Sequence, residues 1–399
     1  MRKIVIQFLK NPFYIYIISF SLVLVIYQLE WSELYPSLTA GLTLFFIITF
    51  LLALYFGALI DKYLPIRYYA IEEKDKPGRI TLILYILYGL EFIYNRGIPI
   101  VLALKTSTYD YKEFGIPTLH PIIATFSSFY TVYIFHLYLS KKRKRYLLIL
   151  IFLLLIPILI FNRGMLLINL TSILFVYLLS INKVRIRTIL SIVVVAFVVL
   201  YFFGVLGNYR ITKTPSNKYF LEISKANDKF INSGIPKEYM WGYIYISSPL
   251  ANLQNNINNH PAVNFRIKDF IIMELLPDFI SKRIAPFAGA ERSEPKNISS
   301  YFIVSTIFCY SYNLLGWAGI YLMFLIISFL VAFYLLLLRK KNPYYITGIS
   351  ILMTFMVYNT FDNMIYFSGI SFQLVYPLLW PVLQKITIKV PVTNRKNNT

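Results

Sequence analysis

The chain has 399 residues, 58% of them hydrophobic and only 14% charged, with a mean hydropathy of +0.62. That composition excludes a soluble multidomain protein, because apolar runs of helix length need lipid rather than a water-excluded core. The formal net charge of +21 raises nucleic acid as a partner, but in a membrane protein a basic excess records which loops stay in the cytoplasm, so the position of the charges decides.

In chain order, Met1-Arg2-Lys3 and Lys10 precede an apolar run from Phe13 to Leu29 with no small-residue cleavage site after it. This predicts a retained signal anchor. Further apolar runs follow near 38–60, 80–104, 120–139, 146–161, 165–181, 188–206, 314–338, 344–361 and 364–384, which with the first (12–29) predicts about ten spanning helices. The segments between them alternate in character. Residues 61–79, 141–145, 182–187, 339–341 and both termini are basic and are expected to face the cytoplasm. Of 39 Lys/Arg and 18 Asp/Glu, these inner segments hold 23 and 4, leaving 16 and 14 for everything else. Ten spans with both termini inside satisfy every loop, provided that Tyr301–Tyr310 does not cross and is a re-entrant or interfacial segment.

Residues 207–298 form the largest polar stretch, on the opposite face from the basic loops. Seven prolines punctuate it, from Pro215 to Pro295, which predicts an irregular segment rather than a regular helical domain, with Phe265–Leu276 as a short amphipathic helix. A loop of this length is usually functional.

Three arginines sit at the outer ends of apolar spans: Arg96 in Asn95-Arg96-Gly97, Arg163 in Asn162-Arg163-Gly164, and Arg210 in Gly207-Asn208-Tyr209-Arg210. Positive-inside bias disfavours them there, so each needs a local reason. Span 146–161 is only ~24 Å long at about 1.5 Å per residue, which puts Arg163 at headgroup depth. An arginine there offers a planar fork of donors to a phosphate, and two or three could hold a lipid diphosphate. Snorkelling to ordinary lipid phosphates, or pairing with an acid such as Glu91, is the plainer alternative.

The 207–298 stretch adds Arg266, Lys268, Lys282, Arg283 and Arg292 as cations, with Glu274, Asp278, Glu291, Glu294 and His260 as proton-exchanging groups. Glycosyl transfer to a hydroxyl needs a base or an orienting carboxylate. Glu274 stands out within Ile271-Ile-Met-Glu-Leu-Leu276, where burial would raise its pKa. Tyr239, Trp241, Tyr243 and Tyr245 offer faces for sugar rings, or an interfacial aromatic belt. His120 and His136 lack companion ligands for a metal site, the single Cys309 reads as a buried small residue, and no phosphate-binding glycine loop predicts a nucleotide.

The segments Gly97-Ile-Pro-Ile, Tyr111-Lys-Glu-Phe-Gly-Ile-Pro-Thr-Leu-His120, Arg163-Gly164, Gly207-Asn-Tyr-Arg210, Tyr245-Ile-Ser-Ser-Pro-Leu-Ala-Asn252 and Gly316-Trp-Ala-Gly319 resemble those of bacterial O-antigen polymerases of the Wzy type. The resemblance implies an all-α membrane glycosyltransferase with a GT-C-like fold, in the bacterial inner membrane. Its parts would be an N-terminal bundle (1–206), a large periplasmic loop (207–313), C-terminal spanning helices (314–385) and a cytoplasmic tail (386–399). It implies metal-independent transfer of a growing glycan from undecaprenyl diphosphate to a fresh lipid-linked repeat unit, without cofactor. In that light Arg163 and Arg210 would bind the diphosphate and Arg292 assist, while the residues themselves nominate Glu274 for proton exchange and Arg96, Tyr245, Asn252, His260, Arg266 and Arg283 for substrate contact. Membrane lipids and a chain-length regulator are the further partners implied, and nucleic acid is not one. A ligase that moves finished glycan onto a lipid core shares this chemistry and is the nearest alternative. A flippase for lipid-linked sugars is a third, disfavoured by the lopsided polar stretch and the few mid-span charges.

Overall fold

A computed structural model of the chain describes residues 8–73, 75–105, 113–181, 186–212, 216–259, 265–338 and 341–387. Among these, regular structure is helical throughout, with one isolated antiparallel bridge between Ser32 and Ala226. The helices are α1 (Pro12–Tyr27), α2 (Ala40–Tyr63), α3 (Pro77–Tyr94), α4 (Pro99–Lys105), α5 (Leu119–Lys141), α6 (Lys144–Leu159), α7 (Arg163–Ser180) and α8 (Ile186–Thr212). They continue with α9 (Lys218–Ile223), α10 (Asp228–Ile231), α11 (Tyr239–Asn259), α12 (Ile267–Glu274), α13 (Asp278–Ala288), α14 (Ile307–Leu337), α15 (Tyr345–Tyr358) and α16 (Ser368–Thr387). Five described stretches are long and apolar enough to cross a membrane: Ala40–Tyr63, Pro77–Lys105, Leu119–Lys141, Arg163–Ser180 and Ile307–Leu337. Pro12–Tyr27, Val193–Tyr209 and Tyr345–Tyr358 are apolar but shorter. The chain is therefore an all-helical membrane protein.

Cα packing divides it into two compact units that interleave in sequence. One comprises Met1–Arg67, Ile181–Ala332 and Met353–Phe367, the other Tyr68–Ser180, Phe333–Leu352 and Ser368–Thr399. In the first unit, Asn11 caps α1 by accepting from Phe13 N at 3.1 Å, and its amide donates to Gly57 O (2.9 Å) and Asp61 Oδ1 (3.0 Å), tying the start of α1 to the end of α2. A side chain at Gly57 would lie 2.3 Å from the Tyr14 ring, so only glycine permits this approach. In the second unit, α5 is the most deeply buried of the five long helices and packs against α6, α7 and α16.

The structure redraws four boundaries. The expected span 80–104 breaks between α3 and α4, where Arg96 adopts a left-handed φ of 54° and Pro99 opens the next helix. The expected span 314–338 begins earlier, at Ile307, so Tyr301–Tyr310 divides into a non-helical stretch and the first turn of α14. The amphipathic helix is trimmed to Ile267–Glu274, with Asp269, Phe270, Met273 and Glu274 on its buried side.

The fourth correction is the largest, since residues 207–298 are not too interrupted for regular helices. They contain the end of α8 and all of α9–α13, and α11 alone runs 21 residues with fourteen of them buried. The described prolines do not prevent this, because some stand outside or at the start of helices and others are accommodated within them. Pro277 caps the start of α13, while Pro249 sits inside α11, where its carbonyl accepts from Thr306 N (3.4 Å) and Ser305 Oγ (3.3 Å). Trp241 anchors the packing. Its ring stacks on Phe220 at 3.7 Å, and its Nε1 donates to Asn208 Oδ1 at 2.8 Å.

Helix α14 is itself broken at Gly316, whose φ of 60° and ψ of −146° lie in a region open to glycine alone. Gly316→Ala is expected to lower stability by about 1–3 kcal/mol. Thermal unfolding of the purified protein in detergent measures this, and an unchanged midpoint would contradict the strained kink.

Candidate functional site

The polar residues that converge most closely lie in the first unit, around Arg292. Three segments build the cluster. Helix α12 ends on Glu274, the extended stretch after α13 carries Arg292, and the turn between α15 and α16 carries Asp362, Asn363 and Tyr366. That turn is set by its own side chains. Asn363 Oδ1 accepts from Ile365 N (3.0 Å) and Tyr366 N (3.2 Å), Asn359 Oδ1 accepts from Met364 N (3.2 Å), and Asp278 N donates to Tyr366 O (2.6 Å). The Asn363 amide then reaches Glu274, donating to Oε2 at 2.8 Å and to the main-chain carbonyl at 2.9 Å.

The Arg292 guanidinium lies between two aromatic faces, with Cζ 3.9 Å from the ring centres of both Tyr310 and Tyr366. Cation–π contact on both sides holds it flat and leaves its edge for anions. Two carboxylates approach that edge loosely. Arg292 Nε is 3.5 Å from Glu274 Oε1 and Nη2 is 3.9 Å from Asp362 Oδ1, beyond good hydrogen-bond length. Glu274 Oε1, Arg292 Nε and Arg292 Nη2 are accordingly buried atoms without a hydrogen-bond partner among the described residues. An arginine whose donors meet no acceptor at hydrogen-bond length is unusual in a packed interior.

The electrostatics follow from one cation shared by two acids. Glu274 is fully buried, and burial pushes its carboxyl up to about 7 against the opposing pull of Arg292 and the Asn363 amide. Asp362 is also shifted upward by burial, again opposed by Arg292. Glu274 therefore exchanges a proton near neutrality while held away from solvent. Asp362 is the acid with an open side, its side chain 37% exposed against 26% for Arg292 and none for Glu274.

A second feature adjoins this cluster through the chain. A cavity of about 260 Å³ is lined by Trp241, Tyr245, Ser248, Tyr301, Phe302 and Phe361, and Phe361 is the residue before Asp362. Tyr245 is 40% exposed, meets Phe203 edge-on at 5.0 Å and lies nearly parallel to Phe361 at 6.5 Å. Aromatic faces around a small cavity suit the apolar face of a sugar ring.

The remaining expected residues are placed as follows. Asn252 is buried and braces the chain, donating to Phe302 O (2.6 Å) and Val304 O (2.7 Å) and accepting from Ile298 N (2.8 Å), which uses its hydrogen-bonding capacity internally. Arg266 pairs with Asp269 at 2.6 Å, and Arg283 is exposed over the Phe279 ring at 3.9 Å. Arg163 opens α7, exposed, with Cζ 5.6 Å from the Phe161 ring, and Arg96 is exposed in the α3–α4 break. Both belong to the second unit, whereas α8, which carries Arg210, belongs to the first. The Arg210 side chain and all of His260 lie outside the described residues. Among the described residues, Glu91 pairs with a histidine rather than an arginine. It is buried and bonded to His120 Nδ1 at 2.9 Å and Ile116 N at 3.2 Å. Asp362, Asn363, Tyr310 and Tyr366 went unnoticed in the sequence, although Asp362-Asn363 is a polar pair in a two-residue gap between apolar runs. No protein-family model, curated protein or solved structure matches this chain.

Proposed function

We propose that the chain is a membrane glycosyltransferase that polymerises undecaprenyl-diphosphate-linked oligosaccharide repeat units at the outer face of the bacterial cytoplasmic membrane. In this reading it crosses ten times with both termini inside, in a GT-C-like arrangement. The observation that carries it is the Arg292 guanidinium, clamped between Tyr310 and Tyr366 with unused donors beside a carboxylate that titrates near 7.

In the reaction, an acceptor hydroxyl oxygen forms a bond to the anomeric carbon of the donor sugar, and the bond from that carbon to the diphosphate oxygen breaks. Arg292 meets the charge that develops on the leaving diphosphate. Asp362, the open carboxylate, takes the acceptor's proton. Glu274 is too buried to touch substrate and acts as a positioning residue that holds Arg292, a change from the proton-exchanging role expected of it. The cavity beside Phe361 receives a sugar ring on the exposed face of Tyr245. Arg96 in the α3–α4 break, Arg163 at the start of α7 and Arg210 near the end of α8 remain phosphate-contact candidates.

The size ladder of surface polysaccharide from cells lacking the gene tests the reading. Loss of a polymerase leaves acceptors capped with a single repeat. Uncapped acceptors with polymer retained on its carrier would mean a ligase, and neither product outside would mean a flippase; either sinks the proposal.

A further inference from the structure

A cavity of about 630 Å³ lies in the first unit between α1 and α2, away from Arg292 and unused by the reaction above. Its volume is within the ~300–1,000 Å³ range of small-molecule sites. The two helices touch closely at one end, at Tyr14 and Gly57, and the cavity opens toward the other. Its floor is apolar, made by Leu24, Phe46, Ile47 and Phe50. Ile47 is 51% exposed on the outward face of α2, so the floor continues onto surface that meets lipid chains.

The mouth is of different chemistry. Gln28, Glu30, Ser32, Ser37 and Asn227 rim it. Ser32 and Asn227 are committed to the fold: Ser32 Oγ donates to Ser224 O at 2.6 Å, and the Asn227 amide donates to Glu30 O. The Gln28 amide and Ser37 hydroxyl make no side-chain hydrogen bond among the described residues and are exposed. Glu30 is the one ionised side chain in the lining, and the nearest cation, Lys229, is 4.0 Å from it across an exposed gap. The rim is also held in place. Glu30 and Lys225 both take left-handed backbone angles (φ 53° and 43°), fastened by Asn227 N to Trp31 O and Glu33 N to Lys225 O, each 3.0 Å. Non-glycine residues stay in that region only when their surroundings impose it, and such strain gathers at ligand clamps.

We infer that this cavity binds an uncharged glycolipid, its hydrocarbon chain between α1 and α2 and its sugar head against Glu30, Gln28 and Ser37. A carboxylate and an amide are matched to sugar hydroxyls, which donate and accept. The same carboxylate, the charged group in the cavity lining, disfavours a phosphate head. The site needs no particular reaction at Arg292, and its test has no polymer readout, so the two proposals fail separately.

The probe is octyl glucoside carrying a diazirine in its chain, photolysed with the full chain in phosphatidylcholine nanodiscs and mapped by mass spectrometry. Labelling should be saturable, confined to peptides spanning residues 24–50, and competed by octyl glucoside but not by octyl phosphate. Ser37→Trp, a substitution at an exposed rim position, should cut it about tenfold, and Glu30→Gln severalfold. If Ser37→Trp fails to fold, competition and Glu30→Gln decide. Equal competition by octyl phosphate, or labelling spread evenly along α1 and α2 and unmoved by Glu30→Gln, would overturn the inference.

Discussion

Replacing Arg292 by alanine is expected to lower polymer formation by about 100-fold or more, the scale seen when a donor to developing negative charge is removed. The substitution leaves Glu274 and Asp362 without their shared cation and Tyr310 and Tyr366 without the plane that fills the space between them. Breaking a buried ion pair costs about 3–5 kcal/mol. The cost here is expected nearer 2–3 kcal/mol, because Glu274 escapes the penalty by taking up a proton. Arg292→Lys should recover little activity, since an ammonium neither stacks on two rings nor presents a fork. Loss of activity must be separated from loss of fold. The double variant Arg292→Met with Glu274→Leu replaces the charges by apolar groups of similar size and is expected to recover most of the stability without recovering polymer. Polymer per unit of membrane-inserted protein, read from the size ladder beside thermal unfolding in detergent, measures both. Wild-type chain length in the double variant would remove Arg292 from the reaction.

The second large effect is on pH. Glu274 has a folded-state pKa raised to about 7 from an ordinary 4.5, because burial disfavours its charged form. Between those values the folded chain keeps a proton that the unfolded chain releases. The contribution to stability is therefore full below about pH 4.5 and is lost as pH rises through 7. At roughly 1.4 kcal/mol per unit, the loss is on the order of 3 kcal/mol. Asp362, shifted upward as well, adds in the same direction. Glu274→Gln copies the protonated form at every pH, so its unfolding midpoint should fall less steeply than the wild type's, keeping only the share due to Asp362, and the variant should be the more stable above pH 7. Parallel pH profiles for the two proteins would mean that Glu274 does not hold its proton in the fold. The same titration bears on function, since a diphosphate approaching Arg292 brings negative charge and favours protonated Glu274. Polymerisation should decline above neutrality in the wild type and lose that limb in Glu274→Gln.

Much of this molecule is legible in one dimension. Apolar runs of helix length can satisfy their backbone in lipid only as helices, and the all-helical membrane class follows from that alone. The unusual setting of Glu274 is also visible locally, because Ile271, Ile272, Met273, Leu275 and Leu276 surround a single acid. Proline spacing misled where tertiary packing overrode local preference. Pro249 lies within a helix whose buried Trp241, Ser247, Asn252 and Gln254 are all held by other segments, Ser247 by the Tyr35 hydroxyl at 3.1 Å.

What the sequence by itself determined is thus the solvent this chain lives in, the helices that solvent demands, and some of the charged residues that merit attention, Arg292 and Glu274 among them but not Asp362. Only the tertiary structure decided which of them meet. Glu274 and Asn363 are 89 residues apart, and no pattern of hydropathy relates them. Their contact depends on the turn after α15, on the break at Gly316 within the helix that carries Tyr310, and on the packing that removes Glu274 from water. Hydropathy is a property of each residue and survives in the sequence, whereas a shifted carboxyl and a clamped guanidinium are properties of neighbours, and those neighbours exist only once the chain has folded.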